Sequence, residues 1–257
     1  MSNYLDVFKN EILNPTSLDV QHPSLRISTN ENFTTQYAPF DYINRDAQIV
    51  LLGITPGSFQ ANAALSRLKT DLIKNVAHTQ ALKNAKEFAS FSGPMRSNLV
   101  KMLDAVGVQN LLSIETCASL FESHSELVHF TSALRYPVFH GGKNYSGTPA
   151  ILSSEYLKDS VNTWLAEETK LLSNALWVPL GKEPTSAIEY LMHKGLVPAK
   201  NIILGLPHPS GANAERIAYF LGNKARESLS SKTNPDKLDH LKYRLITQIN
   251  SLISNRK

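Results

Sequence analysis

The residues best suited to chemistry lie in the stretch IILGLPHPSG, residues 202–211. His208 stands between two prolines and is followed by the Ser210 hydroxyl and by backbone amides that open a predicted helix. Amides at a helix start, together with a hydroxyl, can seat a phosphate group. An imidazole beside that seat can stabilise negative charge developing on a leaving group. Taken alone, the turn fits a structural histidine equally well.

Two further stretches have a similar character. GITPGSFQ, residues 53–60, follows an apolar run and combines two glycines with a proline and small polar residues. RYPVFHGGKNYSGTPA, residues 135–150, is dense in glycine and aromatic residues and is too long for an idle connection. Any one such turn is most often only a tight link between elements. Their shared position in the predicted fold is what makes them informative.

Four nearly continuous apolar runs predict the strands that lead to these turns, at 47–54, 127–134, 175–181 and 201–207. Continuous apolar strands are typical of parallel sheets covered on both faces. Segments with helical periodicity lie between and after them, at 61–76, 96–108, 153–172, 184–195, 211–222 and 235–254. The alternation predicts an α/β fold: a three-layer α/β/α sandwich with a central, mainly parallel four-stranded sheet.

In an open α/β sheet, ligands bind beyond the carboxyl ends of the strands. The stretches 53–60, 132–147 and 206–213 all follow strand ends, so we expect them to face one pocket. A single domain is expected over residues 1–257. Residues 1–46 form an N-terminal extension, with a helix and a long polar approach, and residues 223–257 form a basic carboxy-terminal helical segment.

Bulk composition excludes several classes of protein. The chain has 42% hydrophobic and 19% charged residues and a formal charge of +4, which permits a polyanionic partner without requiring one. A single cysteine, Cys117, excludes an internal disulfide and an all-cysteine metal or iron–sulfur site. No window is apolar enough for a membrane span or a signal peptide. We therefore expect a cytoplasmic protein.

The ordered set of motifs resembles the uracil-DNA glycosylase superfamily. GITPG resembles its first motif, and LPHPSG resembles its last. FASFSGPMRSNLVKMLDAVGV is similar to the stretch in which a phenylalanine stacks on the extruded base. VHFTSALRYP is similar to the strand whose polar end reads that base. The resemblance covers roughly residues 47–222 and implies a DNA partner and hydrolysis of an N-glycosidic bond. An enzyme with this activity must take its base out of the stack and hold it in a pocket.

The resemblance also implies roles for individual residues. Phe91 is the candidate platform for the base, with Phe59 or Phe88 as alternatives, although each could equally belong to the core. The catalytic candidates are His208, Thr55, Gln60 and Asn62. The candidates for base binding are Gly53, Ile54, Phe59, Phe91, Ser132, Lys143, Asn144 and Tyr145. The candidates for DNA binding are Pro56, Gly57, Pro209, Ser210, Gly211, Asn213 and Arg216.

Two positions depart from the family pattern. Thr55 stands where the family usually carries the Asp or Asn that positions the attacking water. A hydroxyl can bond water but is a far poorer base than a carboxylate. Gln60 and Asn62 could orient the water, but neither can act as a base. Ser132 replaces the usual Asn at the base-reading position and is shorter and less discriminating.

These departures leave two functions open. The first is a monofunctional DNA glycosylase for a modified or hypermodified pyrimidine rather than plain uracil. The resemblance to the superfamily implies a place for it in bacterial defence against phages, and we expect such an enzyme to be a monomer that needs no metal and no organic cofactor. His140, Lys143, Asn144 and Tyr145 would then bond to the added groups. The second is a catalytically silent, DNA-binding reader of modified bases. An α/β hydrolase or a nucleotide enzyme with a generic phosphate turn is poorly supported, because the chain has no G-x-S-x-G elbow, P-loop or G-x-G-x-x-G.

The carboxy-terminal segment is rich in cations. It carries Lys224, Arg226, Lys232, Lys237, Lys242, Arg244, Arg256 and Lys257. A run of this kind is most often a solvated helix face. The functional alternative is a surface beside the pocket that contacts phosphates.

Overall fold

The computed structural model describes residues 4–14 and 19–255, so Arg256 and Lys257 of the basic segment lie outside the described residues. The strands are β1 Arg26–Thr29, β2 Phe33–Gln36, β3 Ile49–Gly53, β4 Val128–Ser132, β5 Val138–His140, β6 Lys143–Asn144 and β7 Leu176–Pro179. The helices are α1 Tyr4–Leu13, α2 Ser58–Ile73, α3 His78–Ala89, α4 Pro94–Ala105, α5 Val108–Leu112, α6 Glu155–Ser160, α7 Ala166–Leu171, α8 Lys182–His193, α9 Ala214–Phe220 and α10 Pro235–Ser254.

The central sheet is parallel, with the strand order β4-β3-β7. β3 is buried along its whole length because helices cover both faces of the sheet. Ile49 and Leu51 pack with the cluster that includes α4, α5 and α10, whereas Val50 and Leu52 pack with the cluster that includes α6, α7 and α8. Alternate side chains of one strand thus enter two cores. The predicted α/β fold with helices on both faces of a parallel sheet is confirmed.

The predicted fourth strand is not regular. Residues 201–207 lie beside β7 and form one parallel bridge, Trp177 with Ile202. Two backbone hydrogen bonds frame this segment: Ile203 N donates to Trp177 O at 2.8 Å, and Gly181 N donates to Leu206 O at 3.0 Å. Gly205 has φ +129°, a conformation that side chains rarely adopt, and it breaks the extended run. The sheet therefore has three strands with an irregular fourth member at its edge.

A second, antiparallel sheet was not predicted. Its strand order is β1-β2-β5-β6, and it joins part of the N-terminal extension to the stretch 135–150 that was expected to be a loop. Its strands have two to four residues; β1, β2 and β6 carry Thr, Ser, Gln or Asn, and β5 is only Val138, Phe139 and His140. Such short strands lack the apolar run or alternation by which a strand is recognised.

The predicted helices are present, and the structure adds α3, which was not predicted. The buried residues of α3 include Ala81, Ala85 and Ala89, which give a weak apolar pattern. A π-helical turn, Val161–Leu165, separates α6 from α7 inside the predicted 153–172 helix. Among the described helices, none is both long and apolar enough to cross a membrane.

Candidate functional site

A cavity of about 1270 Å³ opens at the carboxyl ends of the parallel strands. Its walls come from the loop after β3, the end of β4, the loop after β6, the start of α8, the loop around His208 and the side of α10. Both Thr55 and His208 line it, although they are more than 150 residues apart in the sequence. The turns at 53–60 and 206–213 therefore face one space, as the sequence predicted.

The loop after β3 forms the centre of the wall through Gly53, Ile54, Thr55, Pro56, Gly57 and Gln60. The Thr55 hydroxyl donates to Tyr136 O at 3.0 Å and accepts from Val138 N at 3.1 Å. Its single proton is thus committed to the backbone leading into β5. Thr55 ties the loop to the second sheet, and its hydroxyl proton is not available to a water molecule.

Asn144 connects the loop after β3 to the β5–β6 hairpin. Its Oδ1 accepts from Ser58 N at 3.0 Å and from the Ser58 hydroxyl at 2.8 Å. These bonds satisfy one of the free amides at the start of α2, where Gly57 provides no side-chain cap. Asn144 lines the cavity, and its amide nitrogen lies beside Gly57, 3.6 Å from where a Cβ would stand. Its carbonyl oxygen is structural and its amide group is left for a ligand.

Gly53, Phe91 and Ser132 come together at the end of β3. A Cβ on Gly53 would lie 3.4 Å from Ser132 Oγ and 3.6 Å from the Phe91 ring, so glycine leaves the room between them. No described residue hydrogen bonds to the Ser132 hydroxyl. Phe91 has φ +51°, an outlier for a bulky side chain. Such strain is retained where the surroundings demand it, often at a functional site.

His208 is the histidine whose ring lines the cavity. Burial lowers its pKa to about 4, so the imidazole is neutral at pH 7. Ser210 N donates to Nδ1 at 3.3 Å, which places the ring proton on Nε2. Gly181, with φ +84°, allows this approach, because a Cβ there would stand 3.0 Å from His208 Cβ. The geometry presents a neutral hydrogen-bond donor to the cavity.

The loop around His208 is held by side chains on both sides. Asn98 on α4 donates to Pro209 O at 3.0 Å. Asn213 donates to the Ser210 hydroxyl at 3.4 Å, and Arg216 donates to Asn213 Oδ1 at 2.6 Å. The predicted DNA-binding residues Ser210, Asn213 and Arg216 line the cavity, whereas Pro209 is buried beneath the loop and Gly211 is exposed beside it.

Several predicted site residues lie elsewhere. Asn62 turns away from the cavity, because its Nδ2 donates to Asp19 Oδ2 and its Oδ1 accepts from Val20 N. Phe59 is 68% exposed and does not line the cavity, and neither does Phe88. Lys143 is exposed outside it, and His140 stacks on Phe33. The structure places these residues outside the cavity, because spacing along the chain does not report which way a side chain points.

Tyr145 lines the cavity, but its hydroxyl donates to Pro149 O. Burial raises the pKa of this phenol, so it remains protonated at neutral pH. The ring can form part of the wall, but its proton is already committed. No three His, Cys, Asp or Glu side chains in the described part of the chain lie close enough together to hold a metal ion.

Comparison with known proteins finds one similar chain. YoxB of Bacillus subtilis (strain 168), an uncharacterized protein, is 35% identical over 212 residues, which cover 81% of this chain and 83% of YoxB. This chain belongs to the YoxB family. No family model and no solved structure matches it. Because YoxB is uncharacterized, its similarity assigns no activity, and function has to follow from the site.

In this YoxB-family chain, a buried polar cluster that the sequence did not indicate forms the inner end of the cavity. Lys86, Thr131 and Arg135 line this end. Lys86 Nζ donates to Phe40 O at 3.0 Å and to Tyr42 O at 2.7 Å. Burial lowers the pKa of Lys86 to about 8. The Thr131 hydroxyl is buried and has no partner among the described residues.

Glu168 holds this cluster together. It accepts from Arg135 Nε at 2.6 Å, and its other oxygen lies 3.1 Å from His129 Nε2. Burial alone would raise the pKa of Glu168, but Arg135 and the His129 hydrogen bond outweigh burial and lower it. Burial lowers the pKa of His129 to about 4. Only the tertiary fold brings these residues together, since Arg135 and Glu168 lie 33 positions apart.

Glu183 is a second residue that the sequence did not single out. It is 7% exposed, lines the cavity, and accepts from Ile151 N through Oε2 at 2.8 Å. Its Oε1 lies 3.9 Å from Lys182 Nζ, which is exposed. Glu183 and the half-buried Glu189 are the carboxylates in the cavity lining. GKEPT, like the predicted turns, follows a strand end, and that position was the signal available in the sequence.

Proposed function

We propose that this protein is a monofunctional DNA glycosylase that extrudes a base and hydrolyses its N-glycosidic bond. The observation that carries the proposal is the convergence of Phe91, Ser132 and a neutral His208 on one cavity at the carboxyl edge of the sheet. An aromatic face, a polar group for the base edge and a donor for developing charge are what such a reaction requires.

The base would lie against Phe91, with its edge toward Ser132. Gly53 leaves the space between them. The Ser132 hydroxyl can both donate and accept, so it fits several base edges less selectively than an asparagine would. This arrangement favours a pyrimidine other than plain uracil.

His208 would stabilise the departing base. As the bond between the sugar carbon and the base nitrogen breaks, negative charge develops on the base and positive charge on the sugar. A neutral imidazole with its proton on Nε2 can donate a hydrogen bond to the base without itself being an acid at pH 7. Water then adds to the sugar carbon, which gives an abasic site and a free base.

Glu183 is the group we assign to the attacking water. The Thr55 proton is used by Tyr136 O, and Gln60 can orient water but cannot accept its proton. Glu183 is a buried carboxylate in the same cavity with one oxygen bonded to Ile151 N. A carboxylate can accept the proton that water loses, which neither of the other two side chains can do.

The size of the cavity supports a modified pyrimidine. Its volume of about 1270 Å³ exceeds the roughly 300–1,000 Å³ typical of small-molecule sites. The amide nitrogen of Asn144 and the hydroxyl of Thr131 have no partner among the described residues and can bond to added polar groups.

The test is mass spectrometry of bases released from varied genomic DNAs, including phage DNA with modified bases. The wild type should release a free modified pyrimidine and leave sites that alkali cleaves, and His208→Ala should release far less. If no DNA yields a free base or an alkali-labile site, the proposal of a glycosylase is wrong.

The second candidate is a non-catalytic reader of modified bases. The observation that favours it is the committed hydroxyl of Thr55, at the position where the resemblance implies an Asp or Asn. Tight, salt-sensitive binding to modified DNA, with no base released from any of the DNAs, would select this function.

A further inference from the structure

The carboxy-terminal segment is part of the folded body rather than a solvated helix. Leu245 and Ile249 of α10 are fully buried in the core. Gln248 donates to Ile202 O at 2.7 Å, beside the irregular edge of the sheet. Gly205 allows α10 to come close, since a Cβ there would stand 2.9 Å from Leu241 O. Residues 232–244 are thereby held against the cavity.

The six described cations of this segment divide into two groups. Lys224 pairs with Glu215 at 2.7 Å, Arg226 pairs with Asp236 and Asp239, and Lys242 donates to Phe220 O at 2.6 Å. None of these three lines the cavity. Lys224, Arg226 and Lys242 therefore have a structural role, since their bonds hold the segment in place.

The other three cations have no such partners. Lys232, Lys237 and Arg244 are exposed, line the outer end of the cavity, and make no side-chain hydrogen bond or ion pair with any described residue. Arg216, in the first turn of α9, also lines the cavity and donates to Lys232 O at 3.1 Å. The half-buried Glu189 is the carboxylate at this end. Unpaired positive charge therefore exceeds negative charge at this end of the cavity.

We infer that Lys232, Lys237 and Arg244 bind the phosphodiester backbone of the DNA strand that carries the flipped nucleotide. The inference rests on the proposed function. Lys237 and Arg244 are seven residues apart on α10, about 10 Å along the helix axis. Successive phosphates of one B-form strand are about 3.4 Å apart along the duplex axis. The roughly 10 Å between Lys237 and Arg244 therefore corresponds to about three phosphates.

The experiment compares two triple variants that lose the same charge. The test variant is Lys232→Gln, Lys237→Gln and Arg244→Gln. The control variant is Lys74→Gln, Lys101→Gln and Lys170→Gln, at exposed positions that do not line the cavity. The dissociation constant for a fluorescein-labelled DNA oligonucleotide is measured over a series of salt concentrations. RNA of the same sequence, a deoxynucleoside monophosphate and inorganic phosphate serve as competitors.

The test variant should bind DNA roughly one to two orders of magnitude more weakly than the wild type at low salt. The slope of log affinity against log salt should become shallower by about 2–3, because each phosphate contact contributes roughly 0.9 on duplex DNA. The control variant should keep the wild-type slope. Both variants should melt at the wild-type temperature, and Lys237→Arg should bind like the wild type because it keeps the charge.

Equal slopes for the two triple variants would overturn the inference. Stronger competition by RNA, or by the free mononucleotide at equal phosphate concentration, would also overturn it. The proposed function is tested separately by base release. If the wild type binds DNA with the predicted slope but releases no base, the phosphate-binding role of the three cations is supported and the proposed glycosylase activity is wrong. If the wild type releases base but the two triple variants have equal salt slopes, the glycosylase activity is supported and the phosphate-binding role of the three cations is wrong.

Discussion

At the inner end of the cavity, Lys86 and Arg135 are 2% and 5% exposed, whereas at the outer end Lys237 and Arg244 are exposed to solvent. The inner cations bond to backbone carbonyls and to Glu168. The outer cations have no side-chain partner among the described residues. A desolvated charge needs a partner, but a solvated charge does not. We therefore expect the inner charges to determine stability and the outer charges to determine binding.

The largest expected effect tests the inner end. Glu168→Ala leaves Arg135 buried without its carboxylate, and removing one partner of a buried pair costs about 3–5 kcal/mol. Urea unfolding measures this loss. The matched control is Glu167→Ala, which removes a half-buried carboxylate 3.6 Å from the same guanidinium and should cost less than about 1 kcal/mol. Similar losses for the two variants would contradict the idea that burial makes the inner charges matter.

The next effect concerns activity rather than stability. We predict that His208→Ala lowers single-turnover base release by about 10²–10³-fold, which is typical for the loss of one preorganised donor. DNA affinity should stay within about twofold, because the outer cations are untouched. His140→Ala, which alters a ring stacked on Phe33 outside the cavity, is the control. An unchanged rate for His208→Ala would remove His208 from the mechanism.

Acidification should destabilise the protein through the buried His129 and the half-buried His208. His129, which contacts Glu168 and lies near Lys86 and Arg135, and His208 both have a pKa lowered from 6.5 to about 4 by burial. Between these values the unfolded chain takes up protons that the folded chain does not, so stability is complete above about pH 6.5 and falls as the pH drops toward 4.

Between pH 7 and pH 5.5 the loss should be roughly 2 kcal/mol, about half from each histidine. Urea unfolding at the two pH values measures it. His208→Asn should halve the difference, because only the inner histidine then remains. A wild type with equal stability at both pH values would contradict the low pKa values.

The smallest expected effect on stability comes from Asn144, which accepts a hydrogen bond at the start of α2. Asn144→Ala removes the acceptor for Ser58 N at the start of α2 and should cost about 1 kcal/mol. Asn144→Asp keeps an acceptor and places a negative charge at a helix start, so it should be at least as stable as the wild type. Thermal unfolding compares the three proteins. If Asn144→Asp is as unstable as Asn144→Ala, the capping role is wrong.

Local pattern predicted the parts of the fold in which neighbouring residues face the same surroundings. β3, β4 and β7 are continuous apolar runs because both faces of their sheet are covered. α10 was expected over 235–254 and spans Pro235–Ser254. α3 escaped prediction because its buried face is mostly alanine, and the second sheet escaped because its strands are short and mostly polar.

The candidate site, like the fold, has parts that the sequence predicted and parts that it did not. The turns at 53–60 and 206–213 were recognisable because glycine, proline and small polar residues follow apolar strands, and those strands bring both turns to one cavity. Lys86 and Thr131 were not recognised, because neither side chain is distinguished by its neighbours in the sequence, and Glu183 was overlooked although GKEPT follows a strand end. Burial beside a cavity is a property of the packed molecule.

The amino-acid sequence by itself determined the α/β architecture and the loops that end at the cavity, since strand and turn formation depend on residues close together in the chain. Only the tertiary structure decided which groups are free to act. The Thr55 hydroxyl donates its hydrogen bond to Tyr136 O, 81 positions away, and Asn144 accepts from Ser58 N, 86 positions away. It also separated the paired cations of the carboxy-terminal segment from the unpaired ones. A hydrogen bond or ion pair depends on distance in space, and distance along the chain does not report it.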